Sequence, residues 1–318
     1  LRIKTDIKHK NPAIRDWPAA RIVSNPVHPL VNYRVWPLYD FASAIDDHLL
    51  GITHLIRGID FLATSKKQGY IYDYFKWKYP KDILTGKLIV EGMKSTSQAR
   101  ELIRQGKLTG WDDVRLGTLR ALKKRGFTPE AITSFIIDIG VKKSDIRVSE
   151  KNLHAYNKKI IDPISPRYFF TEDPVKIDIS AAKRANTQIT VKAPVKAQKD
   201  RKINTGNAVY IAKKDFEKYQ RKKVRLKEFA WGTLDRKFMP EPEKDWSGTD
   251  KSGIQVIQWV PAKEHVDIEI ITPDNSIHRG KAELNIQGLN NTLVQFERVG
   301  FVNLISDSNK ITGYFAHP

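Results

Sequence analysis

The chain has 318 residues, of which 55 are Lys or Arg and 36 are Asp or Glu, so its formal net charge is +19. No apolar run approaches the roughly 20 residues that span a bilayer, which excludes a membrane-spanning protein. The absence of cysteine excludes disulfide scaffolds, thiolate catalysis and cysteine-based zinc sites. At about 150 residues per domain, the length predicts two structural units.

The excess of positive charge is typical of a protein with a polyanionic partner, because each neutralised phosphate releases counterions. A basic surface that serves only solubility fits the charge equally well. Residues 1–167 hold 30 basic and 17 acidic side chains, and residues 168–318 hold 25 and 19, so both halves are basic.

The highest density of positive charge lies in residues 183–225, with 14 basic and 3 acidic side chains. Arg201 and Lys202 stand near its centre. The segment is either a disordered, solvated loop followed by a surface helix near 216–221, or a surface along a phosphate backbone.

The first part of the chain alternates short apolar strands with helical patterns, which predicts a parallel, doubly wound sheet. The predicted elements are a buried strand at 35–41, a short helix from Asp46 and Asp47 to Gly51, a strand at 52–57, a helix at 60–77 and a strand at 84–90. Asp46 and Asp47 suit the first turn of a helix, where free N–H groups favour negative charge.

The periodicity from Ser95 to Pro163 is helical and predicts an all-helical subdomain. Thr128 followed by Pro129 is a helix start, Gly140 is a stop, and Ser149 caps a further helix.

After Pro166 the pattern changes to period two, which is typical of antiparallel barrels or sandwiches. The predicted strands are at 175–179, 188–191, 208–212, 224–229, 254–260, 266–272, 292–298, 301–306 and 311–316.

Several sequence blocks follow one another in a specific order. The blocks are VWPLYDFASAIDDHLLGITHLIRG at 35–58, GMKSTS at 92–97, GWDDVRLGT at 110–118, VIQWVP at 256–261 and VQFERVGF at 294–301. Together they resemble the class I glutamyl- and glutaminyl-tRNA synthetases, archaeal-type branch, over essentially the whole chain. The signature His-x-Gly-His of that class is absent, so the chain resembles the carboxyl-terminal three-fifths of such an enzyme.

Arg57 decides the substrate that the resemblance implies. Members that use glutamate have Arg here, where a planar guanidinium can hold the side-chain carboxylate bidentately, whereas glutamine-specific members have small uncharged residues. Without the family, an Arg at the end of an apolar strand is more often paired with a neighbour such as Asp60 or with a helix end.

Three further residues match the same family block. Tyr39 corresponds to a substrate-contacting tyrosine, although an ordinary core aromatic is the default for a strand. His54 lies in the motif but is more often a structural histidine. Asp47 matches the family pattern, which implies a role near the tRNA 3′ end. The helix dipole alone also favours a carboxylate at a helix start, without any function.

The segment 93–97 aligns with the mobile phosphate loop of class I synthetases, commonly Lys-Met-Ser-Lys-Ser. The resemblance implies that Met93, Lys94, Ser95, Thr96 and Ser97 bind ATP, with Lys94, Ser95 and Ser97 as catalytic residues. Gln98 stands where many archaeal-type relatives have lysine, which leaves Lys94 and Arg100 as phosphate cations. Taken alone, Ser-Thr-Ser is a helix cap.

The carboxyl-terminal strands resemble the anticodon-binding barrels of the family, in which splayed-out bases stack on aromatic side chains. Phe229, Trp231, Trp246 and Trp259 are available, but aromatic residues in strands are mostly core. The tRNA contacts expected from charge are Lys123, Lys124, Arg125, Arg201 and Lys202; a solvated helix face explains the first three as well.

The predicted fold is therefore α/β plus all-β. Residues 1–31 end an acceptor-stem insertion, 32–94 form the second half of a Rossmann-like catalytic domain, 95–166 form a helical stem-contact subdomain, and 167–318 form the anticodon-binding β-barrel region.

The resemblance implies a cytoplasmic, ATP- and Mg²⁺-dependent glutamate–tRNA ligase that activates glutamate and transfers it to the 3′ end of tRNA(Glu), with tRNA(Gln) as a further candidate. No protein metal site and no membrane partner are expected, and the fragment alone is expected to be inactive. The alternatives are a glutaminyl-tRNA synthetase and a tRNA-binding module without catalysis.

Overall fold

The computed structural model describes residues 1–90, 95–196, 198–241, 254–307 and 310–318. The chain divides into two compact units. The first comprises Leu1–Glu91 and Ile139–Val148, and the second comprises Gly92–Asp138 and Ser149–Pro318. No helix in the described ranges is long and apolar enough to cross a membrane.

The α-helices of the described ranges are short. They are α1 (Tyr39–Leu49), α2 (Leu62–Phe75), α3 (Thr96–Arg104), α4 (Leu119–Arg125), α5 (Pro129–Ile139), α6 (Glu150–Ile161) and α7 (Lys213–Tyr219).

The first unit contains three two-stranded sheets. They are β1 (Ala20–Ile22) with β2 (Val35–Pro37), antiparallel, and β3 (His54–Gly58) with β4 (Lys81–Thr85) and β5 (Leu88–Val90) with β6 (Ile146–Val148), both parallel. The helices α1 and α2 pack around Trp17, Ala44, Ile71 and Tyr72. The α/β prediction is confirmed, while the described residues form separate parallel pairs rather than one doubly wound sheet.

The strand predicted at 35–41 is wrong beyond Pro37, because Tyr39 begins α1. Phe41, Ala44 and Ile45 face the core with the spacing of one helix face. Asp46 and Asp47 therefore lie in the last turn of a helix and not in the first. Their predicted favourable interaction with the helix dipole does not apply.

The helical region follows the prediction with one exception. Pro129 begins α5 and Ser149 caps α6, as expected, and Gly140 follows α5 with φ of +67°. The short strand β6 interrupts the region by pairing with β5, so the region is not entirely helical.

The second unit contains a seven-stranded sheet in the order β7-β20-β21-β22-β18-β19-β8. Its strands are β7 (Arg167–Tyr168), β8 (Phe170–Glu172), β18 (His265–Ile271), β19 (Ile277–Glu283), β20 (Thr292–Phe296), β21 (Gly300–Asp307) and β22 (Lys310–His317). The two edge strands follow each other in the chain and are separated only by Phe169. The sheet is therefore nearly closed.

The remaining described strands form three smaller sheets in the same unit. They are β9 (Pro174–Asp178), β12 (Ala208–Ala212) and β17 (Val260–Pro261); β13 (Lys223–Leu226), β14 (Ala230–Thr233), β15 (Met239–Pro240) and β16 (Gln255–Ile257); and the hairpin β10 (Gln188–Val191) with β11 (Arg201–Asn204). The basic segment 183–225 is thus largely ordered, and its helix begins at Lys213. The solvated-loop interpretation of that segment is wrong.

Candidate functional site

Arg57 lies near the carboxyl end of β3, opposite Leu84 of the parallel strand β4. Two parallel strands end at the same edge of their sheet, which is the edge where α/β proteins bind ligands. The guanidinium side chain is 11% exposed. It is therefore largely desolvated but still reachable from solvent.

The contacts of Arg57 involve two of its three nitrogens. Nη1 donates a 2.9 Å hydrogen bond to Oε1 of Gln68, and Nε lies 3.4 Å from Oδ1 of Asp82. Nη2 makes no hydrogen bond to any residue in the described ranges. The partner is Asp82 and not Asp60, which lies beside Gly58 instead.

Gln68 connects Arg57 to the two helices of this unit. Its Oε1 also accepts a hydrogen bond from the Tyr79 hydroxyl at 3.3 Å, and its Nε2 donates to Ser43 Oγ at 2.6 Å. The Ser43 hydroxyl in turn donates to the backbone oxygen of Tyr39 at 2.7 Å. The start of α1 and the guanidinium are thus joined through one chain of hydrogen bonds.

Tyr39 and His54 occupy different surroundings. Tyr39 is 60% exposed at the start of α1, and its ring meets that of Phe61 edge-on at 5.8 Å between centroids. His54 is exposed at the start of β3, with Nδ1 3.0 Å from the Thr53 hydroxyl. Because His54 and Arg57 are three residues apart on one strand, their side chains leave opposite faces of the sheet. The structure does not bring these two together.

Buried and charged groups surround the guanidinium. Burial raises the pKa of Tyr79 to about 12, although the positive charge of Arg57 opposes this shift. Burial also raises the pKa of Tyr72 and of Asp47, again against the influence of Arg57. Asp47 therefore lies within electrostatic reach of Arg57, as a shared site requires.

Two buried oxygens in this cluster lack a hydrogen-bond partner among the described residues: the Tyr72 hydroxyl, and Asp82 Oδ1, which has the 3.4 Å ion pair with Arg57 Nε instead. Buried polar atoms without partners are costly and call for an explanation such as a bound molecule. Sequence reasoning missed Gln68, Tyr72, Tyr79 and Asp82. The available signal was Gln68 and Tyr72, two polar groups four residues apart on the buried face of a helix.

The predicted phosphate loop is described only in part, since Met93 and Lys94 lie outside the described residues. Ser95 caps α3: its Oγ accepts a hydrogen bond from the Gln98 N–H at 3.3 Å, and Gln98 Oε1 accepts one from the Ser95 N–H at 3.1 Å. Thr96 and Ser97 are exposed in the first turn. Gln98 thus closes a capping box, a role that lysine could not fill.

The basic cluster at the end of α4 contains one exposed side chain and two that are engaged in contacts. Lys123 is exposed. Lys124 donates a 2.8 Å hydrogen bond to Asp112 and lies 4.8 Å from the Tyr314 ring centroid. Arg125 is buried, where it donates to the backbone oxygens of residues 315 and 316 and to Glu150. This placement argues against the predicted phosphate contact of Arg125.

Arg201 and Lys202 divide in the same way along β11. The Arg201 side chain is 4% exposed and binds Glu283 through two hydrogen bonds of 2.8 and 3.0 Å. Its predicted contact with tRNA does not fit this burial. Lys202 is exposed and remains a candidate.

A cavity of about 820 Å³ lies beside β13 and β14 in the second unit. Arg225 and Trp231 are paired across these strands, and the guanidinium lies 5.3 Å from the indole centroid. Lys183, Arg184 and Glu228 also line the cavity. Of the other aromatic candidates, Phe229 and Trp259 are buried and Trp246 lies outside the described residues.

Comparison with known families identifies the class of protein. The family described as "tRNA synthetases class I (E and Q), catalytic domain" matches residues 1–163. Two anticodon-binding domains of the same enzymes match residues 165–243 and 256–305. The chain therefore belongs to the class I glutamyl- and glutaminyl-tRNA synthetase family.

Within this family the chain is similar to archaeal glutamate–tRNA ligases. The ligase of Pyrococcus furiosus is 41% identical over 334 residues, and that of Archaeoglobus fulgidus is 42% identical over 327. Each alignment includes all of this chain, which spans 58% and 57% of those two proteins, respectively.

Among solved structures, glutamate–tRNA synthetase from Elizabethkingia anophelis is 22% identical, with a TM-score of 0.31. The match covers 41% of this chain and 32% of that structure. The family assignment does not depend on it.

Proposed function

We propose that this chain is part of a glutamate–tRNA ligase, with Arg57 as the residue that recognises the glutamate side chain. The observation that carries the proposal is the position, burial and hydrogen bonding of the Arg57 guanidinium. It lies at the carboxyl end of a parallel strand and is largely buried, and its Nη2 makes no hydrogen bond to the described residues.

The chemistry of this group favours a carboxylate over an amide. A guanidinium offers only donors, and a carboxylate can accept two of them at once with opposite charge. The side-chain amide of glutamine offers one acceptor and a second group that is itself a donor. The two substrates differ most in a desolvated site, where Coulombic attraction is weakly screened.

Asp82 does not occupy all the hydrogen-bond donors of Arg57. Its nearest oxygen lies 3.4 Å from Nε, while the hydrogen bond to Gln68 uses only one hydrogen of Nη1. Nη2 and the second Nη1 hydrogen remain for a substrate carboxylate. Tyr39 stays in the proposed site, since hydrogen bonds link its backbone oxygen to Gln68. Asp47 also stays, because the positive charge of Arg57 influences its pKa. His54 stands at the start of β3, away from the end that carries Arg57, so we leave it out of the proposed pocket.

The co-substrate of the proposed reaction is ATP, as in class I synthetases generally. Ser95, Thr96 and Ser97 would meet its phosphates at the start of α3, together with Met93 and Lys94. Within the described ranges no group of three acidic, histidine or cysteine side chains could hold a metal ion. Mg²⁺ is proposed to enter together with ATP, since this ion is usually bound through substrate phosphates and one or two carboxylates rather than by a dedicated protein cage.

The proposed macromolecular partner is tRNA(Glu), with tRNA(Gln) as the second candidate. Support comes from the anticodon-binding domains that match the carboxyl-terminal half and from the cavity beside Trp231 and Arg225. An unstacked base could lie against such an indole–guanidinium pair, with Lys183, Lys202 and Lys123 on the phosphate backbone. We keep the four domains, with boundaries at 31, 94 and 166, and a cytoplasmic location as parts of the proposal.

ATP–pyrophosphate exchange by the full-length protein tests the assignment. Exchange should depend on glutamate and fall at least 100-fold in Arg57→Gln, whereas Arg104→Gln, an exposed arginine paired only with Glu101, should not change it. Glutamine-dependent exchange would instead identify a glutaminyl-tRNA synthetase. Binding of tRNA without any exchange would identify a non-catalytic module.

A further inference from the structure

Gln68 is a neutral polar side chain that is buried, which is unfavourable unless its polar atoms have partners. It is 1% exposed, and apart from aromatic side chains it is the only buried polar or charged residue among the described residues of the first unit. A buried amide is tolerated when its hydrogen bonds are made. The hydrogen-bond partners of Gln68 therefore indicate its role.

Gln68, which lies on α2, connects Arg57 to α1 and to the segment that precedes β4. Both acceptor positions of Oε1 are used, by Arg57 Nη1 at 2.9 Å and by the Tyr79 hydroxyl at 3.3 Å. Its Nε2 fixes the amide orientation by donating to Ser43 of α1 at 2.6 Å. The guanidinium at the end of β3 is thus tied to α1, to α2 and to the segment that precedes β4.

The amide is also the electrostatically suitable partner. Asp82 already pairs with Nε of Arg57, and a second carboxylate at the position of Gln68 would compete with a substrate carboxylate for the positive charge, whereas a neutral oxygen orients the guanidinium without adding negative charge. Arginine has several rotatable bonds, so an unanchored guanidinium loses conformational entropy when it binds a ligand. A guanidinium that is already anchored has lost this conformational entropy before the ligand binds.

We propose that Gln68 is the positioning residue for Arg57, holding Nη2 toward the substrate without placing a second negative charge beside the guanidinium. The inference rests on the proposed function, in which Arg57 meets the side-chain carboxylate of glutamate. Gln68 acts only through Arg57 and touches no substrate.

Two variants of the full-length protein separate position from charge. Gln68→Met keeps the volume but removes the acceptor, so KM for glutamate in ATP–pyrophosphate exchange should rise about tenfold, with kcat changed less than threefold and KM for ATP unchanged. Gln68→Glu restores an acceptor but adds a second carboxylate beside Arg57, next to Asp82, and it should lower the preference for glutamate over glutamine further. Thr64→Val removes a different hydrogen bond between α2 and α1, to Asp40, and should leave KM for glutamate within twofold of wild type.

A crystal structure of Gln68→Met provides a readout that does not need the activity. The Arg57 guanidinium should shift by more than 1 Å or adopt several rotamers. An unmoved guanidinium, or an unchanged KM for glutamate, overturns the proposal. If the wild-type enzyme does not activate glutamate, the proposed function fails, and the position of Arg57 in the variant still decides the role of Gln68. If Gln68→Met does not fold, an unchanged glutamate preference in Gln68→Glu overturns the inference.

Discussion

The side chain of Asn157 fixes the protonation state of His317. Asn157 Oδ1 accepts a hydrogen bond from the backbone N–H of Thr128 at 3.0 Å, and Nδ2 donates to the backbone oxygen of Gly126. The amide orientation is therefore set, and the same Nδ2 lies 3.1 Å from Nε2 of His317. Nε2 must accept, so the imidazole is neutral and carries its proton on Nδ1.

This arrangement predicts a loss of stability below pH 6.5. Burial lowers the pKa of His317 to about 4, and the charges of Lys158 and Arg125 act in the same direction. Between pH 6.5 and 4 the unfolded chain binds a proton that the folded chain does not, so the free energy of unfolding falls as pH decreases. The loss approaches about 3 kcal/mol at pH 4.

Urea denaturation between pH 7 and 5 checks this prediction. His317→Gln keeps an acceptor for Asn157 but cannot titrate, and it should flatten the dependence of unfolding free energy on pH. His28→Gln, at an exposed histidine, should keep the wild-type slope. The pKa of Glu150 is lowered to about 2, so its own contribution is lost only below pH 4.5. An unchanged slope in His317→Gln contradicts the assignment.

Arg201 and Lys202 are adjacent, yet their substitution should have opposite effects. Arg201→Met leaves the buried Glu283 carboxylate without its partner and should reduce the free energy of unfolding by about 3–5 kcal/mol. Lys202→Met, at an exposed position, should change it by less than about 0.5 kcal/mol.

Binding of tRNA at several salt concentrations completes the comparison. Lys202→Met should weaken binding and reduce the salt slope by about 1, as expected for one lost phosphate contact. Equal stability losses in the two variants would show that burial does not distinguish these residues.

This pair shows what the sequence could and could not predict. The charge run predicted a basic segment, but only the alternation of β11 decides which basic side chain points inward. That strand was missed because RKIN contains a single large apolar residue. The strand β19 was missed for a similar reason, since polar side chains cover much of it.

The candidate site was predictable where a motif carried it and unpredictable where packing decides. Arg57 could be singled out because its sequence block resembles the family, whereas its position at a strand end alone favoured pairing with a neighbour. Gln68 could not, since its contact with Arg57 exists only when α2 packs beside β3. The start of α1 was misjudged because a run of seven mostly apolar residues fits a strand and a helix equally well.

The carboxylates at the end of α1 should oppose its stability. Asp46 and Asp47 lie in the last turn, where the helix dipole disfavours negative charge. Burial raises the pKa of Asp47, and the neighbouring Asp46 raises it further, so the folded state holds its proton more tightly and becomes less stable as pH rises above 3.8. Asp46→Asn should raise the free energy of unfolding by about 0.5 kcal/mol.

Thermal denaturation at pH 7 and low salt measures this effect. Asp60→Asn is the matched control of opposite sign, because Asp60 precedes α2 at the positive end of that helix. A lower melting temperature in Asp46→Asn would contradict the electrostatic argument and point to a specific hydrogen bond instead.

The cavity beside Trp231 should contribute to RNA affinity rather than to stability. The indole lies on β14 opposite Arg225, at the wall of a cavity rather than in the core. Stacking of one base on an aromatic side chain is worth about 1–3 kcal/mol, so Trp231→Ala should weaken tRNA binding by roughly tenfold or more. Trp231→Phe keeps a ring and should retain most of the affinity.

Filter binding of a tRNA transcript to the full-length protein, with melting temperatures measured in parallel, tests the role of this cavity. Trp259→Phe serves as the contrast, because Trp259 is fully buried and donates a 2.9 Å hydrogen bond to the backbone oxygen of Lys227. That variant should lower the melting temperature while the protein that remains folded binds tRNA normally. If Trp231→Ala binds tRNA as the wild type does, the base-stacking role is excluded, and the cationic side chains of the cavity would act on the phosphate backbone alone.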